Sequence, residues 1–192
     1  MTVIGIFVGG VSRRMGYSPK GLLPARDGRE SVMARLVRQA GQALEQPQIV
    51  LVGNAEPYRE LGLPSLDDDP PGVGPIGALR ALLEHAHAQG APEAIALPCD
   101  LPDVTSELIA RLACHAPGSV AVAARIDDIW QPLFARYAVS ATLAAVEAAL
   151  GQGDRSLQRV LERLDGGPVL LPLSDAEAQL LGDWDEPSDL VR

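Results

Sequence analysis

Short apolar runs, several of them rich in valine and isoleucine, recur along the chain between longer stretches of mixed polarity. Those at 3–8, 49–52, 94–97, 120–124, 133–137 and 169–171 have the length of buried strands. Apolar positions at helical spacing predict helices over 31–40, 139–150 and 157–164, and further helices end near 88 and begin near 104. Alternating strands and helices imply right-handed crossovers between parallel strands. The pattern therefore predicts an α/β fold, with helices covering both faces of a mostly parallel sheet in three layers.

The length and composition are those of a globular protein. The 192 residues, 47% of them hydrophobic, fit one domain that spans residues 1–192. No apolar run approaches the roughly 18 residues of a membrane span, and no basic segment precedes the first strand as in a signal peptide. Two cysteines, Cys99 and Cys114, lie in different predicted elements. A reduced, cytoplasmic protein without a membrane partner is therefore expected.

The charge is distributed unevenly along the chain. The formal net charge is −9, which argues against nucleic acid as a partner. Residues 1–40 nevertheless carry seven arginines and lysines against two acidic residues, a net charge of +5, so the rest of the chain carries −14. Surface solubility alone could produce this asymmetry. A positive N-terminal face on an acidic protein also suits a small polyanion such as a nucleoside triphosphate.

The loop after the first strand combines glycines with basic side chains. Its residues of interest are Gly9, Gly10, Ser12, Arg13, Arg14, Gly16 and Lys20. Glycine lets backbone N–H groups turn toward phosphate oxygens, while arginine binds phosphate through two N–H groups and lysine as a point charge. Lys20 is followed by Gly21, so the Walker pattern is not met, and the glycine spacing does not fit the dinucleotide fingerprint. A glycine pair alone indicates a turn, but the added basic residues favour a phosphate loop of another type.

Acidic residues follow two other segments. Asp67, Asp68 and Asp69 precede a proline- and glycine-rich stretch that leads into a helix, and they could form a solvated loop. Asp100 leaves the 94–97 strand at its carboxyl end, where open α/β sheets bind ligands. A carboxylate there can bind Mg²⁺, although it could instead cap the helix that begins near 104. Cys99 has no neighbouring base in the sequence, so we interpret it as a packing residue.

The glycine loop also carries a family resemblance. Residues 9–16, Gly-Gly-Val-Ser-Arg-Arg-Met-Gly, with Lys-Gly-Leu-Leu at 20–23, resemble the signature of the molybdenum cofactor guanylyltransferases, a family of the nucleotidyltransferase superfamily. That signature is Leu-Ala-Gly-Gly-x-Ser-x-Arg-Met-Gly followed by Asp-Lys. This chain has Phe7-Val8 in place of Leu-Ala and Pro19 in place of the aspartate. The Pro-Lys pair resembles cytidylyltransferase-like relatives, so guanine and cytosine both remain open as the base.

Four later segments resemble further motifs of the same family in the same order. Residues 68–77 resemble Asp-x-x-Pro-Gly and Gly-Pro-Leu-x-Gly, and 99–102 resemble Cys-Asp-x-Pro. Gln131-Pro132-Leu133 resembles the motif that lines the acceptor side, and Arg155 lies in a segment resembling the one that meets the pterin. Residues 183–190 resemble the Asn-x-Asn-Thr-Pro-x-Asp-Leu ending, with Asp183 and Asp185 in place of the two asparagines. A carboxylate only accepts hydrogen bonds, so Asp185 could instead serve as a second Mg²⁺ ligand.

The resemblance implies a Rossmann-like nucleotidyltransferase that transfers GMP from GTP to molybdopterin or the molybdenum cofactor and releases pyrophosphate. The implied roles are catalysis by Arg14, Lys20 and Asp100; nucleotide binding by Val8, Gly9, Gly10, Ser12, Arg13, Gly16, Lys20, Asp68, Gly74 and Pro75; Mg²⁺ binding by Asp100 and Asp185; and acceptor binding by Gln131, Arg155 and Asp183. Asp68 would read guanine, with Asp67 and Asp69 as alternatives of register. Other cofactor-biosynthesis proteins are candidate partners. The rival functions are a sibling transferase that uses CTP or another acceptor, and a non-catalytic nucleotide or cofactor carrier.

Overall fold

A computed structural model of the chain describes residues 1–9, 19–26 and 28–182. The strands are β1 (Val3–Phe7), β2 (Gln48–Val52), β3 (Ser65–Leu66), β4 (Glu93–Pro98), β5 (Ala121–Ile126), β6 (Ile129–Ala138) and β7 (Val169–Leu170). The α-helices are α1 (Val32–Ala43), α2 (Pro75–Ala88), α3 (Ser106–Cys114), α4 (Val139–Gly151), α5 (Leu157–Glu162) and α6 (Asp175–Leu180). Two short 3₁₀ helices span Lys20–Leu22 and Glu56–Leu61.

The strands form one seven-stranded sheet in the order β3-β2-β1-β4-β6-β5-β7. All pairs are parallel except those that β6 makes with β4 and β5, which confirms the predicted mostly parallel sheet. β5 and β6 form a hairpin that closes through Asp127 and Asp128, at φ angles of 47° and 63°. Two successive positive φ angles give the kind of turn whose twist matches a tight hairpin. β6 therefore returns beside β4 without a crossover helix.

Helices cover both faces of the sheet, as the sequence predicts. Alternate residues of β1 point to opposite faces: Val3 and Phe7 lie in the hydrophobic cluster that includes α2 and α4, while Ile4 and Ile6 lie in the cluster that includes α1 and α3. A Cβ atom added at Gly5 would lie 2.7 Å from the side chain of Leu82. The absence of a side chain at this position lets α2 pack directly on the central strand.

Several predicted boundaries are corrected by the structure. The strand predicted over 133–137 runs from Ile129 to Ala138, and the helix predicted over 157–164 ends at Glu162. The helix expected near 104 begins at Ser106, and the Thr105 side chain caps it by accepting from the Leu108 N–H. The alternative in which Asp100 caps this helix is therefore wrong. None of the helices in the described part of the chain combines the length and apolarity needed to cross a bilayer.

Candidate functional site

The candidate site lies where the parallel strands β1, β2, β3 and β4 end together. Gly9 follows β1, Asp68 lies two positions after the end of β3, and Asp100 lies two positions after the end of β4. Gly53 directly follows β2, and a Cβ atom added to it would lie 3.1 Å from the Gly9 nitrogen. The φ angle of Gly53 is 103°, a conformation that favours glycine. Residues far apart in sequence are thus brought to one edge, the usual ligand-binding edge of such sheets.

A first cavity of about 440 Å³ opens at this edge. It is lined by Phe7, Gly9, Asp68, Gly74, Pro75, Ala78, Pro98, Cys99, Asp100 and Leu133. The lining includes five residues that the sequence predicts for nucleotide or metal binding. The predicted residue Val8 does not reach the wall: its side chain is buried in the core, and its N–H donates to the Val52 carbonyl at 2.9 Å.

The three consecutive aspartates have different surroundings. Asp67 is exposed and borders a separate cavity on the β2 side of the edge. Asp69 is held in an ion pair by Arg80 of α2. Asp68 lines the first cavity, and its buried Oδ1 has no hydrogen-bond partner among the described residues. Burial raises the pKa of Asp68, and the nearby Asp67 raises it further. Of the three register alternatives, Asp68 is the one that lines the first cavity.

Lys20 forms an ion pair with Asp100, which lines the first cavity. Lys20 opens the first 3₁₀ helix, and its Nζ lies 3.2 Å from Oδ2 of Asp100. The two side chains are 16% and 25% exposed, so both remain accessible to a ligand. Two groups that the sequence places 80 positions apart are therefore in direct contact. The pair brings one positive and one negative charge to the cavity, a combination that suits a phosphate and its counter-ion.

The described residues suit a magnesium ion bound mainly by substrate and water. They contain no group of three or more His, Cys, Asp or Glu side chains able to form a metal cage. Mg²⁺ is commonly held by one or two carboxylates and completes its shell with phosphate and water oxygens. The accessible carboxylate of Asp100 beside a roomy cavity fits that preference. The second predicted ligand, Asp185, falls outside the residues described.

A second cavity of about 620 Å³ adjoins the first. The two share the lining residues Pro75, Pro98, Asp100 and Leu133. The predicted acceptor residues Gln131 and Arg155 both line this second cavity. Asp100 therefore lies where the two cavities meet, which is the position required of a group that acts between two substrates.

Two side chains that the motifs do not single out also line the second cavity. Trp130 lies beneath the Arg125 guanidinium, whose carbon is 5.3 Å from the ring centre. Gln158 Nε2 donates to the Trp130 carbonyl, which ties α5 to the hairpin. A tryptophan beside a family-like motif gives little signal in one sequence, because a tryptophan in a strand is usually a core residue. The only available clue is its position directly before Gln131.

Arg155 is set apart from the other arginines around it. Asp154 accepts hydrogen bonds from Arg159 and from Arg163, and also from the Ser156 backbone. The hydrogen bond from Arg159 is the main cause that lowers the pKa of Asp154. Arg155 is exposed and faces the second cavity. Arg155 therefore lines the second cavity, whereas Arg159 and Arg163 are paired with Asp154.

Cys99 is half-buried: it packs against the cluster that contains α1 and α3, as its sequence context predicts, and it also lines the first cavity. Burial raises the pKa of its thiol to about 12, and Asp100 adds to the rise. The thiol therefore stays protonated, and a thiolate nucleophile is not formed at neutral pH.

The other predicted residues, Gly10, Ser12, Arg13, Arg14, Gly16 and Asp183, lie in segments that the structure does not describe.

Comparison with known proteins agrees with this arrangement. The MobA-like NTP transferase domain matches residues 4–168. The molybdenum cofactor guanylyltransferase of Ectopseudomonas mendocina (strain ymp) is 34% identical over 171 residues, covering 88% of this chain and 82% of that protein. The corresponding protein of Rhodobacter capsulatus is 31% identical over 196 residues, covering 100% of this chain and 95% of its own.

Solved structures show the same architecture. Molybdopterin-guanine dinucleotide biosynthesis protein A from Archaeoglobus fulgidus has a TM-score of 0.75 and 25% identity, covering 100% of this chain and 95% of that one. The 2-C-methyl-D-erythritol 4-phosphate cytidylyltransferase from Thermus thermophilus has a TM-score of 0.67 at 18% identity, covering 100% and 95%, and shows a shared fold alone. The chain therefore belongs to the MobA-like NTP transferase family and is a nucleotidyltransferase.

Proposed function

We propose that the protein transfers GMP from GTP to molybdopterin or its molybdenum-loaded form and releases pyrophosphate. The observation that carries the choice of GTP is the carboxylate of Asp68, the one of the three consecutive aspartates that lines the first cavity. Guanine offers two adjacent donors, the N1–H and the 2-amino group, and a carboxylate can accept from both. Cytosine and adenine do not offer this pair. Relatives named for guanylyl transfer to the molybdenum cofactor support the same choice.

The first cavity suits the nucleotide. With the base at Asp68, the triphosphate would extend toward Asp100, which lines the same cavity, and toward its ion-pair partner Lys20. The N-terminus of α2, at Gly74 and Pro75, lines the same cavity and contributes the positive end of the helix dipole. Lys20 would bind phosphate oxygens, and Arg14 would do so from the glycine loop. Mg²⁺, held by Asp100 and the phosphates, would neutralise charge on the triphosphate.

The second cavity suits the acceptor. An acceptor held near Arg155 and Gln131 would present its terminal phosphate across the shared boundary at Asp100. One oxygen of that phosphate forms a bond to the α-phosphorus, the bond between the α-phosphorus and the bridging oxygen breaks, and pyrophosphate leaves with its electron pair. Such a displacement needs the attacking and leaving oxygens in line. The lining residues that the two cavities share support such an alignment, in which positioning and charge neutralisation would supply most of the catalysis.

Pyrophosphate release in a nucleotide panel tests the proposal directly. With molybdopterin and Mg²⁺ present, we expect GTP to support release and CTP and ATP to support at least about tenfold less, because a mismatched base leaves polar groups unpaired. Faster release with CTP would favour the sibling transferase to which Pro19 points. If the protein binds nucleotide but releases no pyrophosphate with either molybdopterin or its molybdenum-loaded form, a non-catalytic nucleotide or cofactor carrier is favoured.

Asp68→Asn should change the preferred base. The amide keeps one acceptor for N1–H but places an N–H₂ group opposite the 2-amino group of guanine, so kcat/KM for GTP should fall about tenfold or more. Xanthine has a carbonyl at position 2, which can accept from that amide. We therefore expect the ratio of kcat/KM for XTP to that for GTP to rise in the variant, as measured by pyrophosphate release.

Asp69→Asn is the matched control, because Asp69 is paired with Arg80 and does not line the cavity. It should leave the XTP to GTP ratio unchanged. If Asp68→Asn also leaves this ratio unchanged, the base is read elsewhere. If Asp69→Asn changes the XTP to GTP ratio instead, Asp69 and not Asp68 recognises the base.

A further inference from the structure

Tyr58 is a buried tyrosine that is not part of any predicted site. It lies in the 3₁₀ helix Glu56–Leu61, which follows β2, and it is 3% exposed. Charged residues and a proline flank it in the sequence, and Ala55 and Leu61 lie three positions away on either side. Its ring packs into the cluster that contains α1 and α3, and Cys99 packs against the same cluster. The phenol therefore lies in the same cluster as a residue that lines the first cavity.

The Tyr58 hydroxyl contacts two segments of the site. A Cβ atom added at Gly21 would lie 2.8 Å from this hydroxyl oxygen and 2.9 Å from the ring, so Gly21 packs its backbone directly on the phenol. Burial is the main cause that raises the pKa of Tyr58 to about 12. Cys99 and Asp100 add to the rise, and a hydrogen bond from the Gly21 backbone opposes it. The hydroxyl is thus neutral at physiological pH and lies against the Gly21 backbone, with the Cys99 thiol as a further neighbour.

These two contacts lie next to the ion pair in sequence. Gly21 follows Lys20, and Cys99 precedes Asp100. Of the three residues of the short helix that carries Lys20, only Gly21 is buried, and it lies against Tyr58 and Met33. The helix rests on the phenol at Gly21 and reaches the end of β4 through the Lys20 side chain. Tyr58 therefore lies between the backbone beside the lysine and the residue beside the aspartate.

We infer that Tyr58 is a positioning residue, which holds the Lys20 helix against the end of β4 and so sets the distance between the Lys20 ammonium and the Asp100 carboxylate. The inference rests on the roles of these two residues in the proposed function. Tyr58 lines neither of the two cavities assigned to the substrates, so it acts through Lys20. The glycine at position 21 is required by the same contact, because any side chain there would push the phenol away.

Tyr58→Phe removes the hydroxyl and keeps the packing of the ring. The amide of Gly21 should then exchange with solvent faster, as measured by hydrogen exchange of a peptide that covers residues 19–23. Turnover of GTP should fall about five- to tenfold, the order of effect expected for one lost hydrogen bond. The KM for molybdopterin should not change, because the second cavity does not include this residue. A purely structural role would lower the melting temperature and leave the exchange near Gly21 and the turnover unchanged.

A double variant that combines Tyr58→Phe with Lys20→Ala tests whether Tyr58 acts through Lys20. If Tyr58 acts through Lys20, Tyr58→Phe should change turnover less than about twofold once Lys20 is already absent, so the two effects are not additive. Additive effects would overturn the inference. Tyr137→Phe is the matched control, since Tyr137 is also buried and its hydroxyl donates to the Pro132 carbonyl at 2.6 Å. That variant should not alter hydrogen exchange at residues 19–23.

The exchange measurement and the binding of a fluorescent GTP analogue separate this inference from the proposed function. If the protein does not transfer GMP to molybdopterin but Tyr58→Phe still loosens residues 19–23 and weakens triphosphate binding, the proposed acceptor is wrong and the positioning role stands. If transfer occurs and Tyr58→Phe leaves both turnover and exchange unchanged, the positioning role is wrong and the proposed function stands.

Discussion

Asp100→Asn is expected to lower turnover by about 100- to 1000-fold, the range seen when one group that stabilises transition-state charge is removed. The substitution keeps the size and polarity of the side chain but removes the charge that faces Lys20 and both cavities. An amide binds Mg²⁺ more weakly than a carboxylate, so the Mg²⁺ concentration for half-maximal rate should rise. Initial rates of pyrophosphate release against Mg²⁺ concentration measure both quantities.

Asp103→Asn is the control for this change. Asp103 lies three positions further along, and its carboxylate is paired on the surface with Arg26 at 2.8 Å. Losing a surface pair of this kind costs about 0–1 kcal/mol and should not alter the metal requirement. Asp185→Asn restores the asparagine found in the family motif, so it should be mild or favourable. A crippled Asp185→Asn beside a nearly normal Asp100→Asn would move the metal site away from β4.

The main architecture could be predicted because it depends on local patterns. Buried parallel strands appear as short apolar runs, and their carboxyl ends share one edge, so Asp100 could be placed at the site from its position after the 94–97 run. The direction of β6 could not be predicted in the same way. An apolar run looks alike in a parallel and an antiparallel strand, and Asp127-Asp128 is not one of the glycine-containing pairs that mark a tight hairpin.

The residues that form the site could be predicted from the sequence only in part, for a different reason. Motif residues such as Asp68 and Arg155 have neighbours in sequence that identify them. Tyr58 acquires its significance from Gly21 and Cys99, which belong to separate segments, and only folding brings them together. Likewise, nothing in the sequence pairs Asp69 with Arg80, the contact that distinguishes it from Asp68.

Lys20→Ala is expected to lower turnover about 100-fold while the fold is kept, because the residue matters more to the triphosphate than to folding. Lys20 lies on a short 3₁₀ helix, and its ion pair with Asp100 is partly exposed, so the lost pair contributes little to the free energy of unfolding. Its larger role is to meet negative charge that develops on the triphosphate, where one donor is typically worth about 2.7–4 kcal/mol. In this variant, GTP turnover should therefore fall while the melting temperature stays nearly unchanged. Unchanged turnover would exclude Lys20 from the triphosphate site.

The metal requirement gives the same variant a second, independent signature. Lys20 and Mg²⁺ are both cations that use the Asp100 carboxylate, and an opposite charge nearby reduces what the carboxylate offers to a second cation. Removing Lys20 should therefore lower the Mg²⁺ concentration for half-maximal rate, whereas Asp100→Asn should raise it. Arg59→Ala, which removes an exposed arginine paired with Glu56, should change neither turnover nor metal requirement. Opposite shifts in the two site variants would show that the ammonium and the metal share one carboxylate, and shifts in the same direction would contradict it.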